Sequence, residues 1–235
     1  MKILISGGHG RFAQELMRQN STHDIIALSK QNMDITDTNS IETAIKKYTP
    51  EIFIHAAALS RPMNVHDIHA DKSISLNIIG TSNCVNACMK YDVKIVYIST
   101  DYVYPGLTGN YSESDGLYPI NKYAWSKLGG ECAVMMYDNS LILRMAMIEY
   151  PFPHLNAFND LFKSCIWHTD AARAVYQLIE KNAIGIYNVG GPKKSIYNFV
   201  CNENVNILPI SKNDVNESVP VDVSMNVTKL NNTLE

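Results

Sequence analysis

The sequence lacks a long apolar run, an excess of positive charge and paired cysteines, and each absence removes a class of function. No stretch approaches the ~18 consecutive apolar residues of a spanning helix, so no membrane partner is expected. Lysine and arginine number 20 against 23 aspartates and glutamates, leaving a formal charge of −3. No basic patch dominates, so neither nucleic acid nor an anionic membrane surface is an expected partner. The cysteines, Cys84, Cys88, Cys132, Cys165 and Cys201, are odd in number and scattered. Cys84 and Cys88 share a helical face, but no histidine or second pair follows at zinc spacing. Reduced, buried thiols and no metal site are the expectation. The opening M-K-I-L-I-S-G-G is too short an apolar run for a secretory signal, so a cytoplasmic location is expected.

What is present is 46% hydrophobic content over 235 residues, enough for one large domain with a small lobe. Short apolar runs at Lys2–Ser6, Asp24–Leu28, Glu51–His55, Val93–Ser99 and Leu141–Met145 read as buried strands. Between them, helical spacing predicts helices over Gly10–Asn20, Asp37–Tyr48, Lys72–Tyr91 and Asn121–Tyr137. Such alternation predicts an α/β fold, a Rossmann-type doubly wound parallel sheet. The rhythm breaks at Pro151 and Pro153. A dinucleotide-binding domain over 1–149 and a small substrate lobe with its tail over 150–235 are expected, the sheet recruiting a strand from 185–190. In that last third a helix over Asp170–Lys181, strands at Gly185–Val189 and Asn204–Ile210, a polar surface tail from Lys212 and a short helix over Met225–Leu230 are expected.

The first strand runs into S-G-G-H-G-R-F-A, which sets Gly7, Gly10 and Ala13 at the spacing of a dinucleotide turn. Glycine lets the backbone approach a pyrophosphate, whose charge meets the amides of a helix N-terminus, here Arg11 and Phe12. At the end of the second strand, NAD binders place a carboxylate for the ribose 2′-hydroxyl. This chain has Ser29 and Lys30 there, with Arg11 in the turn, so NADP(H) is expected over NAD(H). An ordinary solvated pair is the plain alternative for Lys30 and Arg11. Asp34 and Ile35 are placed near the adenine. Ala56, Ala57 and Ala58, ending the third strand, either admit the nicotinamide ribose or merely pack tightly.

The fourth strand ends in Ser99, Thr100, Asp101 and Tyr102, and ligands of such sheets bind beyond the strands' carboxyl ends. About twenty residues on, Tyr123 and Lys127 stand four apart, on one face of a helix. A hydroxyl, a phenol and an ammonium from adjacent elements can then converge above a nicotinamide. A cation beside a phenol stabilises its anion and brings an acid with an ordinary pKa of ~10 toward working pH.

At this point the chain resembles the extended short-chain dehydrogenase/reductases, and within them the dTDP-4-dehydrorhamnose reductase branch. The resemblance is carried by the glycine turn, M-D-I-T-D, H-A-A-A, S-L-N-I-I-G-T-S-N, S-T-D-Y-V-Y-P-G, P-I-N-K-Y-A-W-S-K-L-G-G-E, L-I-L-R-M and V-P-V-D-V-S-M-N-V-T-K-L, spanning nearly the whole chain. It implies NADPH-dependent reduction of a nucleotide-linked 4-keto-6-deoxysugar. Tyr123 would be proton donor, Lys127 would hold the nicotinamide ribose, Thr100 would bond the substrate carbonyl, and Asn77 would complete a water relay to Lys127. It also implies a homodimer through exposed helices, and Tyr102 and Trp167 are candidates to meet the substrate.

The segment from Arg144 to Asp170 is shorter than the family pattern, and it normally carries part of the nucleotide-sugar pocket. Lys163, Arg173, Lys193 and Lys194 are diphosphate candidates or plain surface charges, and Trp167 is a stacking platform or a core indole. His168 reads as the start of a helix capped by Thr169 or Asp170. Two alternatives stay open: an epimerase or dehydratase that retains its cofactor, and a non-catalytic, cofactor-binding regulatory subunit of a larger enzyme.

Overall fold

The computed structural model describes residues 1–20, 22–203, 205–215 and 218–235. Its centre is a parallel sheet of β1 (Lys2–Ser6), β2 (Asp24–Leu28), β3 (Ile52–His55), β4 (Lys94–Thr100), β5 (Ser140–Met145) and β6 (Gly185–Val189). The spatial order is β6-β5-β4-β3-β1-β2, and every adjacent pair is parallel. The chain goes from β1 to β2 on one side, then crosses back to β3 on the other. The crevice of a doubly wound sheet opens at such a reversal, beyond the carboxyl ends of β1 and β3.

Side chains alternate across a strand, so β1 feeds two cores. Ile3 and Ile5 join Leu16 of α1 (Arg11–Gln19) and Val175 and Leu178 of α5 (His168–Glu180). Leu4 joins Ile41 of α2 (Thr38–Tyr48) and Cys84 and Val85 of α3 (Gly80–Tyr91), with Phe53 and Ile95. Each such fully buried aliphatic side chain contributes roughly 1.5–3 kcal/mol. Two further helices are α4 (Lys122–Val134), which carries site residues, and α6 (Thr228–Leu234), which packs beside β6. Asn121 caps α4, its Oδ1 accepting from Ala124 N at 2.9 Å, which places Tyr123 in the first turn.

Three segments differ from the sequence expectation. The long helix from Lys72 is broken: short turns at Val65–Ile68 and Ala70–Ser73 lead into a π-helical segment, Ile74–Ile79, before α3. Asn77, inside that segment, spends its side chain on the backbone of Leu59, which a regular continuous helix does not explain. The expected strand at Asn204–Ile210 starts on a residue outside those described; the observed strand is Leu208–Ile210, paired with Asn156–Phe158. The tail does not simply wrap the surface. Val223 and Met225 are buried with Val103, Tyr104 and Tyr111, Met225 bridges Tyr111, and the last helix begins only at Thr228. Among the described residues no helix is long and apolar enough to cross a membrane, and no cluster of three or more His, Cys, Asp or Glu side chains is placed to hold a metal ion.

Candidate active site

The groove at the reversal is built by backbone approach. Gly7 adopts φ +72, and a Cβ there would lie 2.7 Å from Ala57 Cα, so only glycine fits between β1 and the end of β3. Gly10 N donates to Gly7 O at 2.7 Å, closing the turn into α1, and α1 starts with no side-chain cap. Its first amides are therefore open to an anion. Beside the turn lies an open cleft of about 340 Å³, lined by Gly7, His9, Gly10, Lys30, Gln31, Met33, Asp34, Ile35, Ala56, Ala57, Ala58 and Leu76. Its shape and donors fit the adenosine and diphosphate half of a dinucleotide.

Within it, Ser29 is buried and donates to Asn32 Oδ1 at 2.9 Å. Lys30 is exposed, 3.7 Å from Asp34, a loose pair that a phosphate can displace. Asp34 is held below the usual carboxylate range, first by the Thr36 amide and hydroxyl. Ile35 is buried against α3, and Ala13 and Phe12 pack into the core beneath the turn. Arg11 does not point toward Lys30. Its guanidinium pairs with Glu149, which also lies 3.5 Å from Arg61.

Thr100 ends β4, and Tyr123 and Lys127 come from α4. Tyr123 is half-buried, its ring 5.2 Å from His66 and 6.5 Å, edge-on, from Tyr102. Burial and the neighbouring Asp101 push its phenol up to about 12, against a downward pull from the Thr100 hydroxyl and Lys163. This differs from the expectation that Lys127 acidifies the phenol. Lys127 Nζ lies 4.1 Å over the ring of Tyr97 instead, and burial brings its pKa down to about 7, partly offset by Glu131. Four flexible stem bonds let a lysine leave the neighbour that helical spacing assigns it.

Asn77 links three elements. Its Oδ1 accepts from Leu59 N, and its Nδ2 donates to Leu59 O and to Ser126 Oγ on α4, each at 2.8 Å. The close approach depends on Gly130, where a Cβ would sit 2.6 Å from both Asn77 O and Tyr97 Oη. His55 closes the floor. Thr81 gives its hydroxyl proton to Asn77 O at 2.7 Å, so His55 Nε2, 3.0 Å away, is the donor to Thr81, and Nδ1 accepts from Ser6. The imidazole is neutral, its pKa pulled to about 3 by burial and then by Lys127. Ser99, expected at the crevice, instead donates to Glu131 Oε2 at 2.7 Å, behind it.

The other candidate side chains can be placed as well. Lys163 is buried, 2.9 Å from Asp101 and 4.3 Å over the Tyr102 ring, rather than on the surface. Trp167 packs edge-on to Tyr150 at 5.2 Å and against Phe199 at 4.5 Å. Arg173 is tied to Asp170 and Gln19, Lys193 is paired with Asp222, and Lys194 is exposed on a strand edge. His168 begins α5 without a side-chain cap from Thr169 or Asp170, and its Nδ1 accepts from Tyr150 N. Asp101, Lys163 and His66 are the contributors that sequence reasoning did not assign to Tyr123. Nothing local marks them, since their meeting depends on tertiary folding.

A glycine turn at the reversal, with Thr100 ending β4 and Tyr123 and Lys127 on the neighbouring α4, defines a short-chain dehydrogenase/reductase of the extended kind. The family model described as RmlD substrate binding domain matches residues 1–150, and the chain belongs to that family. It is 25% identical over 225 residues to a dTDP-4-dehydrorhamnose reductase of Aggregatibacter actinomycetemcomitans, covering 84% of this chain and 76% of that one. It is 30% identical over 159 residues to the methionine adenosyltransferase 2 subunit beta of Bos taurus, covering 63% and 47%. Among solved structures, a dTDP-4-dehydrorhamnose reductase from Bacillus anthracis str. Ames in complex with NADP superposes with a TM-score of 0.89 at 24% identity, covering 98% and 92%.

Proposed function

We propose that the protein reduces a nucleotide-linked 4-keto-6-deoxysugar with NADPH, in the manner of dTDP-4-dehydrorhamnose reductases. The reading is supported by Tyr123 standing within reach of the Thr100 hydroxyl at the end of β4, and by a glycine turn between β1 and β3 that admits a diphosphate. When bound, the dihydronicotinamide supplies the hydride that reduces the ketone carbon. Tyr123 keeps its proton at neutral pH, because burial disfavours the phenolate, and gives it to the carbonyl oxygen as charge develops there. Thr100 holds that oxygen, Lys127 turns from the Tyr97 ring to the nicotinamide ribose when the cofactor binds, and Asn77 completes a water relay to it. Lys30 at the end of β2 favours the 2′-phosphate of NADPH, its loose pair with Asp34 giving way to it.

The finer assignments form part of the same proposal. Residues 1–149 hold the cofactor, 150–235 form the substrate lobe with Trp167 and Tyr102 near the sugar, and the enzyme is cytoplasmic and homodimeric. The deciding experiment follows nicotinamide absorbance with a panel of nucleotide-linked 4-keto-6-deoxysugars. Stoichiometric NADPH consumption supports the reductase. Sugar conversion with no net consumption means an epimerase or dehydratase. The resemblance to a methionine adenosyltransferase subunit favours one other reading, a cofactor-binding regulatory subunit. Absence of turnover together with co-purification of a larger enzyme selects it.

A further inference from the structure

The C-terminal lobe brings one buried charge, Lys163, to a carboxylate beside the reacting groups. Lys163 lies on the strand Phe162–Lys163, antiparallel to Lys194–Ser195. Its Nζ is 2.9 Å from Asp101 Oδ2, and the other carboxylate oxygen, Oδ1, accepts the Thr100 hydroxyl at 3.1 Å. A hydroxyl has one hydrogen to give. Thr100 accepts from Tyr102 N at 3.3 Å, so its single proton is divided between Asp101 and the acceptors on the Tyr123 side, and what Asp101 holds is withheld from a carbonyl oxygen.

We propose that Lys163 is a positioning residue for the reduction: by neutralising Asp101 it loosens the carboxylate's hold on Thr100, freeing the hydroxyl for the oxygen that Tyr123 protonates. The inference rests on the reductase reading above. The charged and titratable groups that face this point are Asp101 and Tyr102 from the turn after β4, Lys163 and Cys165 from the lobe, and His66 from the turn at Val65–Ile68. Lys127, on the same helix as Tyr123, is turned to the Tyr97 ring. Asp101 and Lys163 act on Tyr123 in opposite directions, and burial keeps His66 toward its neutral form. A cation supplied from the lobe to a carboxylate of the β4 turn couples lobe docking to the proton inventory of the site.

Lys163→Met, Lys163→Arg and the double variant Asp101→Asn/Lys163→Met test this, with NADPH affinity as the check that each is folded. Lys163→Met loses about tenfold in kcat with KM little changed, the effect of one charge-assisted hydrogen bond used in the transition state. Lys163→Arg retains turnover, and the double variant regains most of the loss, because the competing acceptor is no longer charged. Unchanged kcat in Lys163→Met, or a double variant slower than the single one, overturns the inference. A second readout needs no turnover: the Tyr123 phenol, titrated by ultraviolet difference against the Tyr123→Phe counterpart of each protein. Asp101→Asn leaves Lys163 uncompensated and moves that titration down by about one pH unit, and adding Lys163→Met cancels the move. If the wild type turns over keto-sugar but neither kcat nor titration responds, the inference fails and the reductase reading stands. If the titrations respond while the wild type turns over nothing, the reductase reading fails and the charge coupling stands.

Discussion

Tyr123 and Lys127 were legible as a pair because four residues separate them on one helix, but their division of labour was not. A helix fixes where Cβ atoms lie, while the lysine stem is free to choose its target, and burial decides the phenol's acidity. For a reductase this is the useful direction, since burial pushes the phenol up and keeps it protonated before hydride arrives. Tyr123→Phe should lower kcat by about 10²–10⁴-fold and leave NADPH affinity within about threefold, as measured by fluorescence titration and initial rates. Lys127 carries a stability signature of opposite sense. Its folded pKa of about 7 lies below its ordinary 10.5, so between those values the unfolded chain binds more protons and stability rises with pH. The penalty of the buried ammonium is complete below pH ~7 and gone near pH ~10. Lys127→Met should therefore raise the melting temperature of the cofactor-free protein by about 2–4 °C near pH 6. That gap should close toward pH 10 in a calorimetric series, while turnover is lost.

At the scale of elements, the glycine turn and the end of β2 followed from local pattern, and the cofactor preference they imply can be tested there. Lys30 is exposed and only loosely paired with Asp34, so its charge is available to a 2′-phosphate. Lys30→Ala should weaken NADPH about tenfold and leave NADH unchanged in a paired titration. Equal weakening of both would mean that Lys30 does not read the 2′-phosphate. The π-helical segment was not legible, because Leu-Asn-Ile-Ile has ordinary helical spacing and the distortion arises from contacts with Leu59 and Ser126 far along the chain. K-L-G-G-E held an unread hint of it: paired glycines in a helix allow another helix to come close. Gly130→Ala would drive a methyl against Asn77 O and Tyr97 Oη, both at 2.6 Å, and both anchored by hydrogen bonds. Overpacking of this kind costs about 1–3 kcal/mol, readable as a drop in denaturant midpoint.

At the scale of the whole molecule, the alternating strands and helices foretold the sheet, while the C-terminal segment was misread as surface tail because its residues are mostly polar. Polarity there serves specific bonds rather than solvent. Ser224 and Asp222 bond each other, Ser164 and Met225 exchange two hydrogen bonds, and Lys193 pairs with Asp222. Between those bonds Val223 and Met225 enter the cluster around Tyr104 and Tyr111, and Leu230 of α6 joins the core beside β6. The segment thus ties the strand that carries Lys163 to the turn that carries Asp101. Each of those three side chains contributes ~1.5–3 kcal/mol on burial, so together they supply roughly 5–9 kcal/mol. A domain's net stability is only about 5–15 kcal/mol. A chain ending at Ser218 should therefore show no cooperative thermal transition and no NADPH binding, whereas one ending at Val227, which loses only Leu230 of the three, should unfold cooperatively at a lowered temperature. Wild-type melting behaviour in the chain ending at Ser218 would mean that the segment is as peripheral as its composition suggests.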